Sequence, residues 1–362
     1  MSTGGGSSKV ALVGLGYWGE KLLRNLAVLV DQESIVAVDV LSERQRLLAP
    51  AYPAATFAGS REAALEDDRV RGVIIATPVV THADLARQAL EAGRHVLVEK
   101  PLATSARQAR ELVLLGQARS LTVMAGHTFL FSPRVEAVKA ILERGKIGRL
   151  HYATTSRLNL GLYRRDIDVI WDLAPHDFSI VFHLFGERPT VVQTTAQSSV
   201  GTGVPDVAFI NLSFPSGAIA SVLVSWRAPK KVRNIVVVGE DGMIVYDDTQ
   251  PDEPVKIYDR GVVSTESASF GEHQLTYRYG DTVSPYISAQ EPLARELAHF
   301  LACMDDAGQA CLSDGWFGYE VVRALEAAEL SWKLGGVPVT VGPSRRRSRS
   351  GRVDLGLADI AE

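Results

Sequence analysis

Lys9-Val-Ala-Leu-Val-Gly-Leu-Gly-Tyr-Trp-Gly19 is the stretch that decides the fold. A brief apolar run, Lys9 to Val13, reads as a buried strand and leads straight into G-x-G-x-x-G. Set between a strand and a helix, that motif is a dinucleotide fingerprint rather than a chance spacing of glycines. Gly14 makes the tight turn, Gly16 lets backbone approach a pyrophosphate, and Gly19 allows the helix to pack close to the strand. The helix N-terminus then offers free N–H groups to the phosphates. Tyr17 and Trp18, inside the loop, complete the first set of candidate cofactor contacts. Trp18, Leu22, Leu26 and Leu29 recur at helical spacing, so all four are expected to face the sheet.

Working outward, Ser34 to Val38 reads as the second strand, with Asp39 at its end, 25 residues beyond Gly14. An acidic side chain at that spacing bonds the adenine-ribose hydroxyls and repels a 2′-phosphate, which favours NAD. Arg44 follows within a turn and weakens that preference, leaving NADP possible. Ser42 and Gln45 have capping-box spacing for the next helix. Gly72 to Ala76 is another buried strand, followed by Thr77-Pro78 and then Thr81-His82. Thr81 is the expected N-cap of a helix from Ala83 to Ala92, which Gly93 ends. Thr77, Pro78 and His82 line the cofactor cleft, unless His82 is an exposed first-turn residue. In Gly93-Arg-His-Val-Leu-Val-Glu-Lys-Pro-Leu102, a buried strand from His95 to Val98 stops at Glu99 and Lys100, and Pro101 blocks its continuation. Ligands of open α/β sheets sit beyond the carboxyl ends of the strands, so Glu99 and Lys100 stand where cofactor and substrate meet. A surface ion pair is the other reading of an isolated Glu-Lys. A helix capped near Thr104 and a strand from Leu121 to Ala125 complete a doubly wound alternation.

Beyond His127, a strand-end residue within reach of the cleft, the pattern changes. Pro133 opens a helix to about Glu143, with turns at Gly145 and Gly148. Leu150 to Ser156 is extended, a polar loop follows, and a helix is expected from about Asp172 to Phe185. Four β-rich runs come next: Thr190 to Gln197, Asp206 to Phe214, Ala218 to Trp226 and Arg233 to Val238. Short turns between them imply an antiparallel or mixed sheet. Two helices, about Glu291 to Met304 and Phe317 to Leu334, precede a last strand from Val337 to Val341. The fold class is therefore α/β: a Rossmann doubly wound parallel sheet over 9–128, then an α/β unit with a largely antiparallel sheet over 129–342. Residues 1–8 and 343–362 read as disordered tails, the second rich in arginine.

Within Trp171-Asp-Leu-Ala-Pro-His-Asp177, Asp172 and His176 are four apart and share a helix face. A carboxylate beside an imidazole supports its protonated form, and histidine exchanges protons best near neutral pH. A helix-start charge beside a partly buried histidine has the same spacing. Pro175 is expected in the first turn, where proline is tolerated. Arg157, Asn159, Tyr163 and Arg164 are candidate substrate contacts, together with His127, although a solvated loop has similar composition. Lys230, Lys231 and Arg233 form a compact basic patch beside Trp226 that suits a substrate phosphate or, as the simpler reading, an exposed strand end. His183 reads as a core histidine.

The 362 residues, 46% apolar and 22% charged, suit a soluble globular protein of about two domains. A net charge of −4 gives no pull toward nucleic acid or anionic membrane, and no apolar run approaches a bilayer span. Cys303 and Cys311 form no recognisable metal pattern, so no metal is expected. A reduced, cytoplasmic protein is the simplest expectation.

With these features in hand, the chain resembles the glucose–fructose oxidoreductase / inositol dehydrogenase / MocA (Gfo/Idh/MocA) family over roughly 9–341. The resemblance rests on Gly14-x-Gly16-x-x-Gly19, Ala76-Thr-Pro78 with His82, Glu99-Lys100-Pro101 and Asp172-x-x-x-His176. It implies a nicotinamide-linked dehydrogenase or reductase acting on a sugar or cyclitol. Lys100, Asp172 and His176 match the family's catalytic triplet. The second sheet is implied as an oligomer interface, in a homodimer or homotetramer. Arg-Leu-Asn-Leu-Gly-Leu162 followed by Trp-Asp-Leu-Ala-Pro-His-Asp177 looks like the branch that oxidises nucleotide-linked or otherwise decorated sugars. Pro175 departs from the family's commoner glycine-rich spacing. In the expected chemistry His176 is the base, Asp172 orients it, and Lys100 holds the reacting oxygen. The rivals are an NADPH-dependent keto-sugar reductase and a non-catalytic dinucleotide sensor.

Overall fold

A computed structural model describes residues 8–342 apart from 162–166, 202, 266–273 and 307. The first sheet is formed by β1 (Lys9–Val13), β2 (Ile35–Val38), β3 (Thr56–Ala58), β4 (Val70–Ile75), β5 (His95–Glu99) and β6 (Val123–Gly126). Its order is β3-β2-β1-β4-β5-β6, and every pairing is parallel. Strand order reverses between β1 and β4, and a dinucleotide binds in the crevice at such a reversal. The register pairs Val13 with both Val38 and Ile75, and Glu99 with Gly126. Gly14, Asp39, Ala76, Lys100 and His127 therefore leave the sheet along one edge.

The connecting helices are α1 (Tyr17–Leu29), α2 (Ser42–Leu48), the short α3 (Glu62–Leu65), α4 (His82–Glu91) and α5 (Ala106–Ala118). In α1, Leu22 and Leu26 are buried as expected, but Trp18 is 41% exposed and turns away from the sheet. Its Cβ leaves the helix in the first turn, where the chain has only just left the strand end. Gln45 makes no capping box with Ser42; its amide instead donates to the Asp39 carbonyl at 2.6 Å. Thr81 stands at the N-cap of α4, but its hydroxyl donates to the Pro78 carbonyl. The cap of α5 is Ser105, one residue later than expected, accepting from the Gln108 amide.

The second sheet has nine strands: β7 (Leu150–Leu160), β8 (Val191–Gln197), β9 (Val207–Ser213), β10 (Ile219–Ser225), β11 (Arg227–Gly239), β12 (Met243–Asp247), β13 (Val255–Thr265), β14 (Gln274–Val283) and β15 (Val339–Thr340). Only the β7–β10 pairing is parallel. The helices here are α6 (Pro133–Glu143), α7 (Val169–Phe185), α8 (Pro292–Asp305) and α9 (Gly315–Lys333). Burial alternates strictly along β9, with its inner residues under α7 and Phe209 52% exposed on the open face, while α9 covers the neighbouring β8. Ile219 and Tyr152 extend that open apolar face.

Three departures from expectation matter for the site. β7 continues through Arg157 to Leu160, so the expected polar loop begins only after the strand. Helix α7 starts at Val169, capped by Asp168, which accepts from the Trp171 amide at 2.9 Å. Pro175 is therefore in the helix interior, not in its first turn. Strands β12 to β14 were not among the expected runs. The C-terminal helices return to the first sheet: α8 packs on α1, and α9 packs on α5 and β6.

Candidate active site

The glycine loop is built from backbone that only glycine can supply. Gly14 has φ +96°, and a Cβ there would lie 2.7 Å from the Ala76 carbonyl oxygen. A Cβ on Gly19 would overlap the Gly14 carbonyl, whereas Gly16 faces open space. Gly16 caps α1 without a side chain, leaving the first amides of the helix to an anion. Asp39 is aimed by two backbone amides: Leu15 N–H donates to Oδ2 at 2.7 Å and Leu41 N–H to Oδ1 at 2.8 Å. Thr77 borders the loop, its methyl group 3.0 Å from the Gly14 Cβ position. These residues fit a dinucleotide, with a phosphate cradle at Gly16 and a fixed carboxylate for the ribose. Tyr17 and Trp18 are exposed beside it, in edge contact with one another and both under the Lys21 ammonium.

His82 has a different place from either expectation. It is 2% exposed, with Nδ1 2.9 Å from the Pro101 carbonyl and Nε2 2.9 Å from the Thr77 carbonyl. Both partners only accept, and a neutral imidazole donates to one of them. Burial lowers its pKa. His82 thus clamps the turn after β4 to the Lys100 turn after β5, and does not line the cleft with a free ring nitrogen.

Lys100 comes off β5 and meets α7 from the other sheet. Its Nζ donates to the Asp172 main-chain carbonyl at 2.8 Å and lies 3.7 Å from Asp172 Oδ1. Trp226, 2% exposed after β10, donates from Nε1 to Asp172 Oδ2 at 3.0 Å. Pro175 deprives the Trp171 carbonyl of its helical donor and crowds it. That loosening falls beside the carbonyl on which Lys100 docks. Among the described residues Asp172 thus meets Lys100 and Trp226.

His176 lies one turn further along α7, its ring edge-on to Phe129 at 5.1 Å. Nδ1 is buried with no hydrogen-bond partner among the described residues. Burial, then the Lys100 and Arg157 charges, holds its pKa well below the ordinary histidine value. It is a neutral imidazole, able to accept a proton. Arg157 is buried and committed to Asp177, Nε to Oδ2 at 2.7 Å, with its guanidinium over the Phe129 ring. It supports this wall of the site from behind instead of reaching an open cleft. His127 is 1% exposed and packs on Phe317, and both its nitrogens are unpartnered among the described residues. Burial lowers it to about 3. Asn159 is half-buried, its Oδ1 likewise unpartnered. Tyr163 and Arg164 lie outside the described residues. Arg233 pairs with Asp248, which removes it from a free basic patch, while Lys230 and Lys231 are exposed. His183 is half-buried, not a full core residue.

Two site residues escaped the sequence reading. Trp226 was seen only as a strand end. Glu296 is fully buried on α8, accepting from Thr128 Oγ1 at 2.7 Å. Burial and the Glu99 charge raise its pKa well above the usual carboxylate range, and burial raises Glu99 to about 7. Its signal was available: Leu293, Glu296, Leu297 and Phe300 form one buried stripe with a carboxylate in it.

Comparison with known proteins agrees with this geometry. Residues 8–127 match the model of the oxidoreductase family with an NAD-binding Rossmann fold, Gfo/Idh/MocA, and residues 135–245 match that family's C-terminal domain. D-apiose dehydrogenase from Paraburkholderia graminis is 25% identical over 338 residues, 90% of this chain and 88% of that protein. UDP-N-acetylglucosamine 3-dehydrogenase from Acidithiobacillus ferrooxidans superposes with a TM-score of 0.74 at 25% identity, covering 91% of this chain and 99% of that one. GenD2, from gentamicin A biosynthesis and solved with NAD, shares the fold with a TM-score of 0.75 at 24% identity, over 94% and 98% of the two chains. The glycine loop, the Lys100 strand end and the two matched regions together place this chain in the Gfo/Idh/MocA family of oxidoreductases, with that family's NAD-binding Rossmann fold.

Proposed function

We propose that the protein oxidises a secondary hydroxyl of a sugar, nucleotide sugar, aminoglycoside or cyclitol to the ketone. The observation that carries the reading is the meeting of Lys100, from the first sheet, with Asp172 and the His176 helix, from beside the second. When bound, NAD accepts the carbinol hydrogen as hydride. The hydroxyl proton leaves to His176, whose neutral ring is free to take it. Lys100 holds the same oxygen and stabilises negative charge as it develops. Asp172 and Trp226 hold Lys100 against that charge. The cations around His176 make its imidazolium short-lived, which favours passing the proton on to water.

Gly14, Gly16 and Gly19 hold the pyrophosphate, Asp39 the ribose, and Thr77, Pro78 and Glu99 border the nicotinamide side. The fixed Asp39 carboxylate supports NAD over NADP, since it faces the position a 2′-phosphate would take. His127 and Asn159 offer unsatisfied polar atoms for a polyhydroxylated substrate, with Tyr163 and Arg164 as further candidates. The division into a cofactor unit over 9–128 and a substrate unit over 129–342, a homodimer or homotetramer built on the open face of the second sheet, and a cytoplasmic location belong to the same reading. Among the described residues no helix is long and apolar enough to cross a membrane.

The test is reduction of NAD and of NADP by purified protein against free cyclitols, sugar phosphates, aminoglycosides and nucleotide sugars. Turnover with NAD on one class is the expected result. Turnover only with NADPH and a keto-sugar reverses the direction, a reading that Arg44 beside Asp39 supports. Intact dinucleotide binding with no turnover in either direction on any class refutes the dehydrogenase reading.

A further inference from the structure

We propose that His299, Cys303 and Cys311 form a binding site for a thiophilic divalent cation, best matched by zinc, at the end of the first sheet opposite Lys100. The chain has two cysteines, eight positions apart in no recognised ligand spacing, and the fold brings both to one histidine. His299 and Cys303 are one turn apart on α8, so their side chains share a face. Cys311 comes from the segment that leads to α9. The three ligating atoms all lie within 4.8 Å of one another. Cys303 Sγ is 3.5 Å from His299 Nε2. Tetrahedral zinc, with bonds of about 2.3 Å to sulfur and about 2.0 Å to nitrogen, places such a pair about 3.5 Å apart. One edge of the coordination tetrahedron is therefore already formed.

The surroundings suit the same chemistry. The Leu312 amide donates to His299 Nε2 at 3.0 Å, so Nε2 carries the lone pair and the ring proton is on Nδ1. That is the tautomer a cation at Nε2 requires. A cation at Nε2 would take the place of this amide donor. Binding releases the two thiol protons to solvent as both sulfurs ligate. Cys303 is buried, whereas Cys311 and His299 are half-exposed, which gives ions an entry path and leaves the fourth position to water.

The backbone beneath is fixed. Thr122 Oγ1 donates to the Cys303 carbonyl at 3.1 Å, and Arg71 donates to the Met304 carbonyl at 2.8 Å. Thr122 immediately precedes β6 and Arg71 lies at the amino-terminal end of β4, while Lys100 follows the carboxyl end of β5. The bound cation would tie the end of α8 to the start of α9, away from the chemistry.

The experiment uses the full chain, reduced, stripped with a chelator and freed of it, with cobalt(II) as spectroscopic probe and zinc as competitor. One equivalent of cobalt should give a thiolate charge-transfer band in the near ultraviolet, which zinc abolishes. Cys311→Ser, a half-exposed position, should remove the band, and His299→Ala should weaken binding about tenfold or more. Zinc should raise the Tm of the parent protein and leave that of Cys311→Ser unchanged. Dinucleotide binding by each variant shows that it has folded. No thiolate band while two free thiols are titratable overturns the site. So does equal cobalt affinity in Cys311→Ser.

Discussion

The two sheets contribute to the candidate active site in different materials. The first supplies mainly backbone, a glycine turn and open amides. It adds two side chains at its strand ends: Asp39, aimed by two N–H groups, and Lys100, which reaches across to α7 and joins the side-chain half. The second supplies side chains, carried on α7 and on the end of β10, and held by an ion pair and an indole N–H. A site made of backbone fails when a Cβ is added to it. A site made of side chains fails when one polar atom is taken away. The difference predicts that binding and chemistry separate cleanly under mutation.

The largest effect should come from the side-chain half. His176→Ala and Lys100→Ala should each lower kcat by about 10²–10⁴-fold, the usual worth of a positioned proton acceptor or charge stabiliser. Calorimetry should find dinucleotide affinity nearly unchanged in both. Normal turnover in His176→Ala would remove it as the base and break the contrast. Gly19→Ala should do the reverse. Its Cβ overlaps the Gly14 carbonyl, and overpacking of about 1–3 kcal/mol translates into dinucleotide binding weakened about 10- to 100-fold.

Trp226→Phe sharpens the comparison further, since it leaves an aromatic ring in place and deletes the indole N–H that bonds Asp172. A hydrogen bond to a charged group contributes about 1.5–3 kcal/mol, so kcat should fall about tenfold or somewhat more. The pH profile should shift with it, because Asp172 is less firmly held beside Lys100. A Trp226→Phe enzyme with an unaltered profile would show that the indole serves packing alone.

The smallest effect concerns His127. Its pKa is about 3 in the folded chain and about 6.5 when unfolded. The unfolded state therefore takes up a proton first as pH falls, and stability is lost from about pH 6.5 downward. Each pH unit in that window costs about 1.4 kcal/mol for one such group. Denaturant titrations of His127→Phe should show an acid-side slope shallower by about one proton. An unchanged slope would place the proton uptake on other buried groups.

How much of this was legible in the sequence follows the same division. Backbone requirements leave their mark in residue type, so Gly14, Gly19, Asp39 and the stop at Lys100-Pro101 were readable at their places. Side-chain partnerships did not show. Lys100 and Asp172 are 72 positions apart and Asp172 and Trp226 are 54 apart, and no spacing rule joins them. The pair at i, i+4 was visible, but its meaning changed: Asp172 bonds Lys100 and Trp226, with His176 left to its own wall. Helix α7 was placed three residues late because Asp168, its cap, lay inside a stretch read as polar loop. His82 was ambiguous between two roles, and a clamp between two main-chain carbonyls leaves no pattern a sequence can display. The thiol cluster was missed because Cys311 joins it through a turn after α8.

The return of α8 to the first sheet bears on how the chain is made. A Cβ on Gly72, in β4, would run into Met304 and Phe300 of α8, so strand and helix pack with no room between them. The six strands of that sheet leave the ribosome well before α8, so the flank of β4 at Gly72 stays uncovered until Phe300 and Met304 have been synthesised. A fragment cut after β6 would carry that apolar flank permanently uncovered.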